Sequence, residues 1–226
     1  MLNKNLLTIR NAAFVVLFIA LAVVADHVVV AKLWGNPGQT FTLFQILGPL
    51  PGFFLGPVLG IAAVLVSELI NFILLHKTAD PITLLRLLPM LGGAYYFAMH
   101  GKKHTILIPI LAIILFNLHP VGAQAWMYSL IWLIPIVTTL FFKHGLFFKA
   151  LGATFTTHAI GGSFWNYYNY MTPEMWTALI PVTLTERVLF AAGITVSFIA
   201  INAVLTRFFS NAKIEVLNLE KGISVF

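Results

Sequence analysis

Six stretches of this chain, near 11–33, 57–76, 84–100, 123–142, 146–165 and 178–207, are apolar over the length of a membrane span. A spanning helix needs roughly 20 apolar residues, with a range of about 17–25. Two shorter apolar stretches, 41–55 and 105–118, lie between them. The runs are continuous and show no apolar–polar alternation, which points to helices and away from a barrel. Only 9% of the residues are charged, against about 25% in an ordinary soluble domain. The expected fold is therefore all-α, a polytopic integral membrane helical bundle with six to eight transmembrane segments. Residues 1–208 form its single domain, and 209–226 form a tail too short to fold alone. The chain has no cysteine, which excludes disulfides, iron–sulfur clusters and thiolate metal sites within it.

The basic residues set the orientation. When eight segments are threaded with the N-terminus inside, Lys4, Arg10, Lys102, Lys103, Lys143, Lys149, Arg207, Lys213 and Lys221 fall on the inner side. Only Lys32 and Lys77 fall outside, while Arg86 and Arg187 lie within or at the edge of spans. This positive-inside asymmetry predicts an even number of spans, a multi-pass cell-membrane location and both termini cytoplasmic. A six-span version with one short pair re-entrant preserves both ends. Dispersed in this way, the basic residues serve as topology anchors for a lipid bilayer, and no nucleic acid partner is expected. Lys4, Arg10, the apolar run from Ala12 to Val24 and the triplet Val23-Val24-Ala25 also have the layout of a cleavable signal peptide. The run resumes at Val28-Val29-Val30, as a retained span requires.

Under this topology, polar variety concentrates on the outer connections. These are 35–40, 76–81, 117–124 and an aromatic segment, Phe164-Trp165-Asn166-Tyr167-Tyr168-Asn169-Tyr170, closed by Met171-Thr172-Pro173-Glu174-Met175-Trp176. Trp and Tyr are enriched in membrane-interface belts. A belt has no use for Asn166 and Asn169 set between them, whereas a binding site uses such amides as directional hydrogen bonders. Trp165, Asn166, Tyr168, Asn169 and Trp176 are accordingly expected to roof and wall a ligand site. Asn36, Gln39, His119 and Gln124 would add polar contacts. His158, two turns below Trp165, is either a deeper ligand contact or a hydrogen-bonded core histidine.

Ionisable groups inside the spans are costly and mark candidate function. Glu68 and Asn71 share one helix face at i and i+3, and Glu68 and Arg86 are candidates for a structural ion pair. Glu186-Arg187 reads as a helix start with Glu186 at the positive dipole end. Asp26-His27 reads as interfacial and solvated. Enzymatic signatures are missing: there is no H-E-x-x-H, no G-x-S-x-G and no Walker-type phosphate loop. No cofactor or catalytic residue is assigned. The alternative to a binding protein is an intramembrane metal-dependent or lipid-processing enzyme, with His119, His158, Glu68 and Glu186 converging on a metal or lipid headgroup. A third reading is a structural assembly subunit whose aromatics form only a belt.

Two regions carry a family resemblance. One is the hinge Gln45-Ile46-Leu47-Gly48-Pro49-Leu50-Pro51-Gly52-Phe53-Phe54-Leu55-Gly56-Pro57-Val58-Leu59-Gly60. The other is Leu179-Ile180-Pro181-Val182-Thr183-Leu184-Thr185-Glu186-Arg187, leading into Ala191-Ala192-Gly193. Together they resemble the substrate-binding S components of energy-coupling-factor (ECF) vitamin transporters. The resemblance implies a small helical protein that captures a vitamin-like solute, aromatic or heterocyclic, beneath its outer loops. It implies docking on a transmembrane coupling subunit driven by cytoplasmic ATPases. Ala12, Ala13, Ala20, Ala22 and Ala25 on the first helix would supply the docking face. That family has six spans, and the extra pair around 105–142 has no counterpart in it.

Overall fold

The computed structural model describes residues 9–32, 40–168, 170–209 and 224–225. About 82% of the described residues are helical. Helix α1 (Ile9–Asp26) is followed by a small antiparallel hairpin, β1 (Val29–Lys32) with β2 (Thr40–Thr42). The first apolar run therefore does not continue to residue 33 as one span. Val28-Val29-Val30 is β-branched and favours extended backbone, and the helix ends at Asp26.

The short stretch 41–55 becomes two brief helices, α2 (Phe44–Leu47) and α3 (Leu50–Phe54), before α4 (Gly56–Leu74). Gly56 has φ +77°, a conformation that favours glycine, and Pro57 then occupies the first turn of α4. This pair produces the reversal between α3 and α4. α5 (Pro81–Leu85) and α6 (Leu88–Met99) follow. A 3-10 turn at Lys103–Ile106 then leads into α7 (Leu107–Leu118). α8 (Pro120–Gln124), α9 (Trp126–Ser129), a second 3-10 turn and α10 (Ile134–Phe141) make up the region 120–141. α11 (Leu146–Tyr168) and α12 (Pro173–Phe209) complete the bundle.

Among the described residues, three helices are long and apolar enough to cross a membrane: Gly56–Leu74, Pro81–Met99 and Pro173–Arg207. Ala12–Asp26, Lys103–Leu118 and Trp126–Phe141 are shorter apolar helices. α11 has 23 residues but falls short of the three in apolarity, and its position explains why. It packs against α6, α7, α10 and α12 and buries Gly152, Ala153, Thr154, Thr156, Thr157, Gly162 and Ser163. Small side chains let helix backbones approach closely. A Cβ at Gly93 of α6 would collide with Thr157 Oγ1 of α11, so this crossing depends on the glycine. The same surface is tied laterally by Tyr96, whose hydroxyl donates to the Pro135 carbonyl at 2.7 Å. That hydroxyl also lies 2.8 Å from both the Thr138 and the Thr139 Oγ1.

Helix ends meet in two groups. At one end Asp26, Thr42 and Lys77 come together, and His119 packs on Tyr167. At the other, His100 bonds to the Phe142 carbonyl, and Ser224 and Val225 accept from the start of α11. An aromatic core near this second group stacks Phe18, Phe54 and Phe198, with centroid distances of 5.5 and 5.0 Å. The Lys149 ammonium lies 4.2 Å from the centre of the Phe53 ring. Ala22 and Ala25 are buried beside Phe44, Val64 and Met90. These two alanines are core rather than docking face, because α1 turns them toward α2 and α4; Ala12, Ala13 and Ala20 are exposed.

Candidate functional site

The aromatic segment is not the loop that the sequence suggests. Phe164–Tyr168 form the last turn of α11, and α12 begins at Pro173. The helical register therefore decides which side chains face inward. Asn166 is 2% exposed. Its Nδ2 donates to the Phe116 carbonyl at 3.2 Å, and its Oδ1 accepts from Trp176 Nε1 at 3.0 Å. Asn166 and Trp176 thus come together, but as an internal clamp between α7, α11 and α12. Their hydrogen-bonding atoms are occupied by protein.

The remaining predicted contacts are dispersed. Trp165 is half-buried, with the Arg86 guanidinium 5.0 Å from its ring centre. Tyr168 is exposed. Val121 N–H donates to His119 Nδ1 at 3.3 Å, and the imidazole meets Tyr167 edge-on at 4.9 Å. Gln124 is exposed and lines a shallow depression with Pro173, Glu174, Thr177 and Ala178. Asn36, Gln39 and Asn169 lie outside the described residues.

His158 takes its core role. Trp132 Nε1–H donates to His158 Nδ1 at 3.0 Å. An indole can only donate, so the proton of the neutral imidazole sits on Nε2. Nε2 lies 3.3 Å from the Tyr128 hydroxyl, which is 3.0 Å from Thr183 Oγ1. Trp132 and Tyr128 are almost fully buried. The result is a directed chain from the second 3-10 turn (Leu130–Leu133) through α11 and α9 to α12, with both ring nitrogens of His158 engaged.

One turn beyond Thr183 stands Arg187, only 2% exposed. It lies well inside α12, whose first residue is Pro173, so Glu186-Arg187 does not mark a helix start. The guanidinium carbon is 5.0 Å from the Phe41 ring centre and 4.8 Å from that of Phe190. Glu186 Oε2 lies 3.6 Å from Nη2, too far for a hydrogen bond. Nε and Nη2 are buried with no hydrogen-bond partner. Arg187 acts electrostatically on Tyr128 and His158, so the charge and the neutral chain share one neighbourhood. The four-residue spacing of Thr183 and Arg187, which puts both on one helix face, was the available sequence signal for this pairing.

Glu68 does not pair with Arg86, which lies over Trp165 instead. Its electrostatic neighbours are Asp26 and Lys77. Asp26 is only partly exposed; its Oδ1 accepts from the Thr42 hydroxyl at 3.0 Å, and Lys77 Nζ is 4.0 Å from Oδ2. It is therefore tied down rather than freely solvated. Among the described residues, no three His, Asp or Glu side chains gather as a metal site. The convergence of His119, His158, Glu68 and Glu186 required by the enzymatic alternative is not found.

Two titratable groups at the bundle ends complete the electrostatics. Hydrogen bonds from the Thr83 amide and hydroxyl and from the Thr78 hydroxyl hold the Asp80 carboxyl down to about 2. Burial pushes His100 down to about 4, against a weaker opposing effect of its bond to Phe142. No protein-family model, curated protein or solved structure matches this chain.

Proposed function

We propose that this protein is a membrane-embedded solute-binding subunit that recognises a small molecule through an anionic group held by Arg187. The carrying observation is the buried guanidinium with Nε and Nη2 unmet. Glu186, 3.6 Å from Nη2, gives the charge an ion-pair partner, but buried N–H groups left without hydrogen bonds are expensive to maintain. A carboxylate or phosphate matches its planar fork. Phe41 and Phe190 offer ring faces beside it, which suits an aromatic or heterocyclic solute. In this reading the solute enters from the side of the β1–β2 hairpin, the non-cytoplasmic one by the distribution of basic residues. The up-and-down succession of helix ends supports six to eight spans with both termini cytoplasmic.

Uptake would use a separate transmembrane coupling subunit and cytoplasmic ATPases. Ala13, Val16, Leu17, Ala20 and Val24 form an exposed stripe along α1 on which such a subunit could dock.

The test is a thermal-shift screen of the purified protein against small carboxylates and phosphate esters, with mass spectrometry of any co-purifying molecule. Stabilisation by one anionic class, lost in Arg187→Gln, supports the reading. The reading fails if Arg187→Gln, folded, is stabilised as strongly as the parent.

A further inference from the structure

A second polar region, on α4, is also incomplete. Asn71 is 2% exposed and its Oδ1 has no hydrogen-bond partner; Glu68 Oε2 is likewise buried and unpartnered. The two residues are one turn apart on the same face. Both unmet atoms are acceptors, so a group that offers only positive charge would satisfy both. The surroundings agree. Asp26 from α1 and Lys77 beyond the end of α4 act on Glu68. Two acidic side chains thus share one ammonium, Lys77, which lies 4.0 Å from Asp26. Ser67 cannot help, because its hydroxyl donates to the Val64 carbonyl at 2.7 Å.

We infer that Glu68 Oε2 and Asn71 Oδ1 form the protein half of a site for one monovalent hard cation such as sodium. Asp26 Oδ2, held loosely by Lys77 at 4.0 Å, and water complete the shell. Carboxylate and amide oxygens suit hard cations. Calcium takes 6–8 oxygens, usually from several carboxylates, more than this face offers. Because Asp26 also accepts from Thr42, an ion here would tie α1, the β2 strand and α4 together. The inference does not depend on Arg187.

The experiment measures thermal stability of the whole protein in sodium, potassium and choline chloride at constant pH and ionic strength. Binding of radioactive sodium is counted alongside. A saturable stabilisation by sodium, absent in choline, with one ion per chain, is expected. Glu68→Gln should abolish the response. Asn71→Asp, which keeps an oxygen at the position, should retain it and guards against simple misfolding of the first variant. The inference is overturned if parent stability is equal in sodium and choline. It is equally overturned if Glu68→Gln keeps the sodium response. Stability that follows pH but ignores sodium would assign a proton to Glu68 and end the sodium site.

Discussion

Thr183 and Arg187 lie one turn apart on α12, yet they belong to opposite kinds of polar structure. Thr183 closes a chain in which Trp132, His158 and Tyr128 each find a partner. Arg187 carries more charge, is as deeply buried, and leaves two nitrogens unmet. A satisfied polar group inside a bundle fixes geometry and specifies one packing. An unsatisfied one costs stability, and its persistence needs a reason outside the resting structure. The sequence alone ranks these groups differently: His158 attracts interest as a potential ligand, and Arg187 passes as a helix start.

The contrast can be broken most severely at His158. His158→Ala strands the Trp132 N–H and removes a partner of the Tyr128 hydroxyl, while opening a cavity. We expect a loss of about 3 kcal/mol in denaturation of the reconstituted protein, since each stranded buried group costs about 1–3 kcal/mol. A loss below about 1 kcal/mol would mean that the chain is not structural.

Arg187 should respond with the opposite sign. Arg187→Met removes two nitrogens whose hydrogen bonding the resting protein does not satisfy, along with the ion-pair partner of Glu186. Combined with Glu186→Gln, the ligand-free protein should hold its stability or gain about 1 kcal/mol, because apolar replacement of a buried ion pair is often neutral or stabilising. Stabilisation by anionic solutes should disappear. A marked loss of stability would show that Phe41, Phe190 and Glu186 already make the guanidinium a structural element.

The smallest effect belongs to His100, which is half-satisfied: Nε2 donates to Phe142, and Nδ1 is buried without a partner. Its proton affinity is depressed to about 4 in the folded protein, against about 6.5 when unfolded. The unfolded chain therefore binds the extra proton first. Stability should be complete above about pH 6.5 and should fall as the pH drops toward 4. A pH series of melting temperatures, compared with His100→Gln, checks this; an identical slope in the variant would remove His100 as the cause.

Much of the helical plan was legible in residue order. Gly56–Leu74 matches the apolar run at 57–76, and Gly56-Pro57 marks its start. The miss at 28–32 follows from reading apolarity without β-branching. The aromatic segment misled because Trp, Asn and Tyr have the same composition in a helix turn as in a lid. Only the register of α11 reveals that Asn166 faces Phe116 and Trp176. Glu68 stands out in the sequence as an ionisable group inside a span, but its neighbours depend on how α1 and α4 cross, which no local spacing encodes. Pro181 and Glu186-Arg187 resemble boundaries, yet α12 runs through them from Pro173, with Thr185 Oγ1 bonding the Pro181 carbonyl.

α11 bears on how the protein is made. Its buried surface of glycine, alanine and threonine suits a helix surrounded by helices and is poorly suited to standing alone in lipid. During synthesis it emerges after α4, α6, α7 and α10 and before α12. Under the proposed membrane placement, its partition from the translocation channel into the bilayer should therefore depend on α6 and α10 already waiting there, with Tyr96 joining those two to each other. A chain truncated after Tyr168 should retain α11 in the membrane, whereas α11 fused alone to a reporter should pass through.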